Sequence, residues 1–401
     1  MGFNGSEKSF ELYKNYVLQT YAPAQYFTRG EGSRLYDDAG NEFLDFATGI
    51  SVCNLGHCHP AVTKAVAEQA ATLVHISNLY LNDLNPRLAE KLISKCFDGV
   101  VFFANSGAEA NEGLIKLARK FGNETGRNEI ISMENSFHGR TLATLAATGR
   151  AKYRKGFEPD MPGFRQVPYN DIEALKGAIT DKTCAILLEP VQGEGGILPA
   201  DPGYLRQVRE LCDEKNLMLL FDEVQCGMGR LGTLYAWQSF GVQPDAFSMA
   251  KALANGLPMG AMVISRKYAT VLKAGEHAST FGGTPLVSAA ALAVQEVFEK
   301  ENILDNVCKL GEYLMRELGK ITREYKFVKA VRGKGLMIGV VLDRPAGALA
   351  AAILKHNLIT LTAGETVLRL LPALNLTRED ADLALERIAA GLKDYAATLE
   401  D

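Results

Sequence analysis

The sequence has no uninterrupted apolar stretch near the roughly 20 residues that a membrane-spanning helix needs. Its opening Met1-Gly2-Phe3-Asn4-Gly5-Ser6-Glu7-Lys8 lacks a basic region followed by an apolar core. Neither a membrane span nor a secretory leader is expected, and the chain reads as cytoplasmic. There is also no basic block able to follow a phosphodiester backbone and no dense acidic tail: 43 basic against 47 acidic residues leave a formal charge of -4, so nucleic acid is not an expected partner. Cysteine is sparse. Cys53, Cys58, Cys96, Cys184, Cys212, Cys226 and Cys308 form an odd, scattered set without a C-x-x-C pair, which argues against a disulfide framework and for reduced thiols serving mostly as small core hydrophobes. His57-Cys58-His59 invites a metal reading, but adjacent side chains do not converge on one ion and no other His/Cys group lies at ligand spacing, so no metal is expected. Internal repeats and low-complexity segments are absent too.

What is present is an ordinary globular chain, 401 residues with 47% apolar content, long enough for a substantial core in two or three domains. Apolar runs alternate with helical patterns, the signature of an α/β fold with a largely parallel sheet. The expected strands are Val100 to Phe103, Glu129 to Ser132, Cys184 to Leu188, Leu217 to Phe221 and Ala246 to Ser248. Between the first two, Ala110, Leu114, Leu117, Ala118 and Phe121 fall on one helix face. Ligands of such sheets collect beyond the strand C-terminal ends, so the residues just after each run carry the functional question.

After the first run, Asn105-Ser106-Gly107-Ala108-Glu109 enters the helix, either as a phosphate site at a helix N-terminus or as a plain serine cap. After the second, Phe137-His138-Gly139-Arg140 sets an aromatic beside a guanidinium; one could cover a flat ring and the other clamp a carboxylate, or Phe137 is core and Arg140 a surface ion pair. The third ends in Glu189-Pro190-Val191-Gln192-Gly193-Glu194-Gly195-Gly196, whose glycines could let backbone approach a ligand and whose acids could contact a substrate, or which is an ordinary Gly/Pro loop. The fourth delivers Asp222 and Glu223 to the sheet edge, and Lys251 follows the fifth. A carboxylate able to pair with a protonated pyridine nitrogen and a lysine able to bond covalently to an aldehyde point to pyridoxal phosphate chemistry. The rival is an NAD-dependent dehydrogenase, because Gly227-Met228-Gly229-Arg230-Leu231-Gly232 satisfies G-x-G-x-x-G. Against it, Asp222 and Glu223 would crowd a pyrophosphate, Pro and Gly punctuate the segment that should be the crossover helix, and Asp245 comes too early for a ribose acid.

Taken jointly, these motifs resemble the class III (ω-amino acid) pyridoxal phosphate-dependent aminotransferases of fold type I. The likeness runs from Gly30-Glu31-Gly32-Ser33 and Asp45-Phe46-Ala47-Thr48-Gly49-Ile50, through Gly56-His57-Cys58-His59-Pro60, to Leu368-Arg369-Leu370-Leu371-Pro372. Phe137-His138-Gly139-Arg140 and His75-Ile76-Ser77-Asn78-Leu79-Tyr80 look like the acetylornithine branch.

The resemblance implies a large domain over residues 51–299 built on a mostly parallel sheet, with Gly260 to Ile264 as an antiparallel addition, and a smaller α+β domain from residues 1–50 and 300–401. In the smaller part, Leu336 to Leu342 reads as a strand, Ala381 to Leu392 as an amphipathic helix and Gly333-Lys334-Gly335 as a turn. By the same resemblance Lys251 carries the cofactor and shuttles a proton, Asp222 keeps the ring nitrogen protonated, Gln225 lies near the phenolic oxygen, Ser106, Gly107 and Ala108 cup the phosphate, and Phe137 stacks on the ring. Thr280 would reach the phosphate of a neighbouring subunit, making a homodimer the functional unit. Arg140 would hold the remote carboxylate of N-acetylornithine or of glutamate, and Arg369, paired with Glu194 between half-reactions, would grip glutamate's α-carboxylate. Thr284 stands where the family commonly has asparagine, a departure that touches no assigned role. The implied reaction moves the δ-amine of N-acetyl-L-ornithine to 2-oxoglutarate. Succinyldiaminopimelate, succinylornithine, ornithine and 4-aminobutyrate remain alternative donors.

Overall fold

The computed structural model describes residues 5–399; Met1 to Asn4, half of the segment read above for a leader, lie outside it, as do Glu400 and Asp401. Among the described residues no helix is long and apolar enough to cross a membrane.

The largest sheet has seven strands in the order Gly99–Ala104, Gly260–Ser265, Ala246–Met249, Met218–Asp222, Thr183–Leu188, Glu129–Met133 and Phe164–Val167. All five expected strands lie in it. Its pairings are parallel except around Gly260–Ser265, which runs antiparallel to both neighbours. Thr183–Leu188 and Met218–Asp222 are buried at every position, which is why they read as unbroken apolar runs: a central parallel strand is covered on both faces. Phe164–Val167 was not foreseen. It is an edge strand of four residues with Arg165 exposed, too short and too mixed to stand out from a loop.

Helix Gly107–Asn123 lies against this sheet, burying Ala110, Leu114, Leu117 and Ala118, with Phe121 half-buried. The two ends of the chain meet in a second sheet, where Leu358–Ile359 pairs in parallel with Glu42–Asp45. A third sheet joins Val328–Lys334, Met337–Leu342, Val367–Leu370 and Leu361–Ala363, and helices Ile303–Ile321 and Arg378–Ala397 complete this part. The expected turn at Gly333 to Gly335 moves forward: Gly333 and Lys334 are paired strand residues, and only Gly335, at φ 56°, turns the chain. All seven cysteines are free, but only Cys184, Cys212 and Cys226 are fully buried, fewer than expected, and Cys58 and Cys308 are exposed.

The G-x-G-x-x-G segment is a turn, not the start of a crossover helix. Gly229 and Gly232 take φ of 85° and 91° and press against Phe298, Leu374 and Cys308, so their missing side chains serve chain packing. Arg230 between them is fully buried. It donates from Nε to Ser51 Oγ at 3.0 Å, from Nη1 to the carbonyls of Leu336 (3.1 Å) and Pro372 (2.5 Å), and from Nη2 to Asn54. The guanidinium thus ties the Met218–Asp222 side of the molecule to the third sheet. It also supports Thr48 to Ser51, a left-handed turn with φ of 45°, 62°, 67° and 62°. Arg230→Met leaves these buried acceptors without donors and should cost about 3 kcal/mol of stability, within the range expected for several unmet buried hydrogen bonds. A denaturation midpoint equal to that of the parent would refute this account.

Candidate active site

The strands deliver their C-terminal ends to one edge of the main sheet. Lys251 follows Ala246–Met249 and opens a 3-10 turn, Lys251–Ala254. Its φ of 46° lies in the left-handed region, a strained conformation for a lysine that persists because the buried Ala252, Leu253 and Ala254 hold the turn. Lys251 lines a cavity of about 390 Å³ together with Ser106, Gly107, Ala108, Phe137 and Asp222. Gln225 and Arg140 line it as well.

Burial, and after it the positive charge of Arg369, push the Lys251 amine down to about 8. The ammonium form is therefore the minor species above that pH, and only the free amine attacks an aldehyde. Cofactor-free protein should react with pyridoxal phosphate at an initial rate that climbs about tenfold per pH unit below pH 8 and levels off above it. Stopped-flow absorbance between pH 6 and 10 measures this; a profile still rising towards pH 10 would mean an unperturbed lysine.

Asp222 is 3% exposed. The Val224 N–H donates to its Oδ1 at 3.0 Å, Asn111 Nδ2 donates to Oδ2 at 2.7 Å, and His138 Nδ1 lies 2.9 Å from Oδ2. Asn111 is itself oriented, accepting from the Ser248 hydroxyl at 2.6 Å and donating to the His138 carbonyl at 2.8 Å. Among the described residues no lysine or arginine pairs with Asp222. A buried carboxylate bordering a cavity in this state suits a cationic ring nitrogen.

At the other end, Ser106 caps helix Gly107–Asn123, its hydroxyl accepting from the Glu109 N–H at 3.1 Å. The plain capping role is thus real, and it leaves the first-turn N–H groups of Gly107 and Ala108 without helical acceptors, as an anion site requires. A side chain on Gly107 would come within 2.7 Å of Val224 Cγ1, so only glycine lets this turn approach so closely. An anion cradle, a reactive amine and a buried carboxylate around one cavity fit pyridoxal phosphate.

The remaining expected residues divide. Among the described residues Arg140 has no ion-pair partner; its guanidinium carbon lies 4.1 Å from the Tyr153 ring centre and 5.3 Å from that of Phe137. Glu194 is presented by the short hairpin of Val191–Gln192 and Leu198–Pro199 and forms an ion pair with Arg369, which sits on strand Val367–Leu370. Burial opposes ionisation of Glu194, but the Arg369 guanidinium outweighs it and holds the carboxyl below its ordinary range. Arg369 also donates to Gln225 Oε1 at 3.1 Å, so that amide is already engaged at its oxygen. Gly193 makes room for the Gln225 side chain, which corrects the expectation that this glycine admits a ligand. Thr280 lies outside the Lys251 cavity, exposed on a loop bordering a neighbouring cleft with Asn105 and Glu109.

Several supporting roles around the site were not legible in the sequence. Glu189 accepts from the N–H groups of Phe137 at 2.9 Å and Gly193 at 3.0 Å, fastening two site loops to each other, and burial together with Asp222 raises its pKa. Glu223 caps helix Ala236–Phe240 through the Ala236 and Trp237 amides, at 2.6 and 2.7 Å. Asn111 and His138 gain their meaning only from Asp222, more than 80 residues away in each case.

Comparison with known proteins agrees with this geometry. The profile of the family described as aminotransferase class-III matches residues 18–392. An acetylornithine aminotransferase of Methanocaldococcus jannaschii is 49% identical over 388 residues, covering 95% of this chain and 97% of the relative. A protein of Pseudomonas aeruginosa named succinylornithine transaminase/acetylornithine aminotransferase is 47% identical, covering 94% of each chain. The ornithine aminotransferase of Toxoplasma gondii, whose structure shows partial occupancy of pyridoxal phosphate at the active site, superposes with a TM-score of 0.95 at 31% identity, covering 100% of this chain and 97% of that one. Neither the fold nor these relatives leave room for the dinucleotide reading of Gly227 to Gly232, and the chain belongs to the class III aminotransferases, a pyridoxal phosphate-dependent family.

Proposed function

We propose that this enzyme transfers the δ-amine of N2-acetyl-L-ornithine to 2-oxoglutarate, giving N-acetyl-L-glutamate 5-semialdehyde and L-glutamate, as a cytoplasmic step of arginine biosynthesis. The observation that carries the reading is the Glu194–Arg369 ion pair beside Gln225, with Arg140, which has no acidic partner among the described residues, lining the same cavity as Lys251. A donor reacting at a terminal amine brings no carboxylate close to the reacting carbon, so Arg369 can stay satisfied by Glu194 while Arg140 holds the distant carboxylate. When glutamate enters, its α-carboxylate takes the place of Glu194 on Arg369 and its side-chain carboxylate goes to Arg140. The exchange spares the enzyme a buried unpaired guanidinium in either half-reaction.

Pyridoxal phosphate, when bound, supplies an aldehyde that takes up the amine and a cationic ring that draws electrons from the reacting C–H bond. Asp222 would keep the proton on the pyridine nitrogen, and the three groups that fix its carboxylate keep it aimed there. Gly107 and Ala108 N–H groups, with the Ser106 hydroxyl, would hold the phosphate. Phe137 would cover the ring, and the Nε2 hydrogens of the Gln225 amide, whose Oε1 accepts from Arg369, would face the phenolic oxygen. Lys251 Nζ would act as the base at the substrate carbon, taking its proton and holding it for return; burial lowers the amine's pKa and so raises the share of free base near neutral pH.

We further place the working unit as a homodimer in which Thr280 serves the partner's phosphate. Its support is an exposed apolar surface next to Thr280: Leu79, Tyr80, Leu81 and Phe281 are 86%, 71%, 89% and 59% exposed. Spectra of the purified protein test the substrate reading. N-acetyl-L-ornithine alone should discharge the cofactor's absorbance and 2-oxoglutarate restore it; discharge by ornithine but not by its N-acetyl derivative would defeat the assignment.

A further inference from the structure

The strand Thr183–Leu188, buried throughout, hands the chain to Glu189, which is 4% exposed at the wall of the Lys251 cavity. Among the described residues no lysine or arginine pairs with this carboxylate. Its two oxygens are divided instead between two segments: Oε1 accepts from the Phe137 N–H at 2.9 Å and Oε2 from the Gly193 N–H at 3.0 Å. The Tyr169 hydroxyl donates to the Glu189 carbonyl at 2.6 Å and fixes the residue at its root. A buried carboxylate without a counter-ion is costly to keep, and here burial, followed by the Asp222 charge, pushes its pKa up to about 7. An apolar residue or a neutral amide would avoid that cost, but neither can accept from two converging N–H groups at once.

Gly193 immediately precedes Glu194, the side chain that closes on Arg369. The segment is held at two further points. The Gly364 N–H donates to the Glu194 carbonyl at 2.9 Å, and Arg332 donates to the Gly196 carbonyl from Nε at 3.1 Å and from Nη2 at 2.8 Å. With the Gly193 N–H and the Glu194 and Gly196 carbonyls all engaged, the backbone that carries Glu194 is fixed from before the residue to beyond it. Rotation of the side chain, 21% exposed, is the motion left to its carboxylate.

We propose that Glu189 is a positioning residue, seconded by Arg332, that clamps the backbone on either side of Glu194, so that Arg369 passes from Glu194 to an incoming α-carboxylate by rotation of one side chain alone. This rests on Arg369 gripping glutamate's α-carboxylate, and it extends that reading from the ion pair to the groups that present it. A clamped backbone keeps the Glu194 carboxylate at high effective concentration beside Arg369. The closed pair then suits a donor with no carboxylate at the reacting carbon, while glutamate has to compete with it. Loosening the clamp shifts that competition towards glutamate.

The test is the ratio of kcat/KM for L-glutamate to that for N-acetyl-L-ornithine, each measured with the holoenzyme as a single half-reaction followed by cofactor absorbance. The ratio cancels losses common to both donors, such as a displaced Phe137 or a lower cofactor load. Glu189→Gln keeps the size of the side chain, but its amide accepts from one N–H and turns hydrogens towards the other. The ratio should rise about tenfold, the scale of one hydrogen bond to a charged group. Arg332→Gln, at a residue that does not line the cavity, should move the ratio the same way by a smaller factor, and it carries the test alone if Glu189→Gln does not fold. Glu194→Ala removes the competing carboxylate and should itself raise the ratio; added to it, Glu189→Gln should change the ratio no further. A ratio unmoved or lowered in folded Glu189→Gln or in Arg332→Gln overturns the proposal, and so do effects of Glu189→Gln and Glu194→Ala that multiply. A ratio unmoved in Glu194→Ala would instead reject the underlying reading of the Arg369 pair, and the clamp with it.

Discussion

Lys251→Ala should lower the turnover of N-acetyl-L-ornithine on the order of 10³-fold or more, since in the proposed mechanism one amine would provide both covalent attachment and proton transfer. The fold should survive. The neighbouring Ala252, Leu253 and Ala254 stay buried, and alanine at φ 46° bears backbone strain comparable to that of lysine. Borohydride treatment followed by mass measurement separates the two roles: the parent should gain a reduced pyridoxyl adduct, and the variant none. A small external amine at high concentration should restore part of the proton-transfer function without restoring the adduct. An adduct of unchanged stoichiometry in the variant, or turnover close to that of the parent, would remove Lys251 from its assigned place.

Asp222→Asn should cost about 10²- to 10³-fold in kcat, because a neutral amide cannot hold a positive charge on the ring nitrogen in a buried site where such stabilisation dominates catalysis. Asparagine matches aspartate in shape, and its oxygen can still accept from Val224 or Asn111. It cannot serve all three present donors at once, so the cofactor should also bind more weakly and the melting temperature should drop modestly. A cofactor analogue methylated at the ring nitrogen, permanently cationic, distinguishes charge from shape. Partial recovery of kcat in the variant with that analogue supports the electrostatic role, whereas equal kcat for variant and parent with ordinary pyridoxal phosphate would show that the carboxylate is only a structural acceptor.

Both predictions rest on residues visible in the chain before any coordinates. Asp222 terminates a strand buried at every position, and a run of that kind can be recognised because burial on both faces removes the alternation of polar residues. Lys251 follows Ala246–Met249 for the same reason. The edge strand Phe164–Val167 escaped notice since nothing covers one of its sides and Arg165 is free to face water. The G-x-G-x-x-G match shows how a pattern misleads: the glycines are required by close packing against Phe298, Leu374 and Cys308, a demand that leaves the same local signature as a phosphate loop. Gln225 illustrates an intermediate case, present in the cavity as expected but with its oxygen already bonded to Arg369.

The chain by itself determined the type of sheet, the edge at which Lys251, Asp222 and the Ser106 to Ala108 turn gather, and the proposal of their roles, because these depend on local burial and on residue types adjacent in sequence. Tertiary structure alone decided which groups orient Asp222, why Arg230 is buried, where Gln225 points and that Glu189 joins Phe137 to Gly193. Such properties arise from contacts between segments distant along the backbone, where a hydrogen bond or a charge is strong only because packing has excluded water around both partners. No local pattern records which partner that will be.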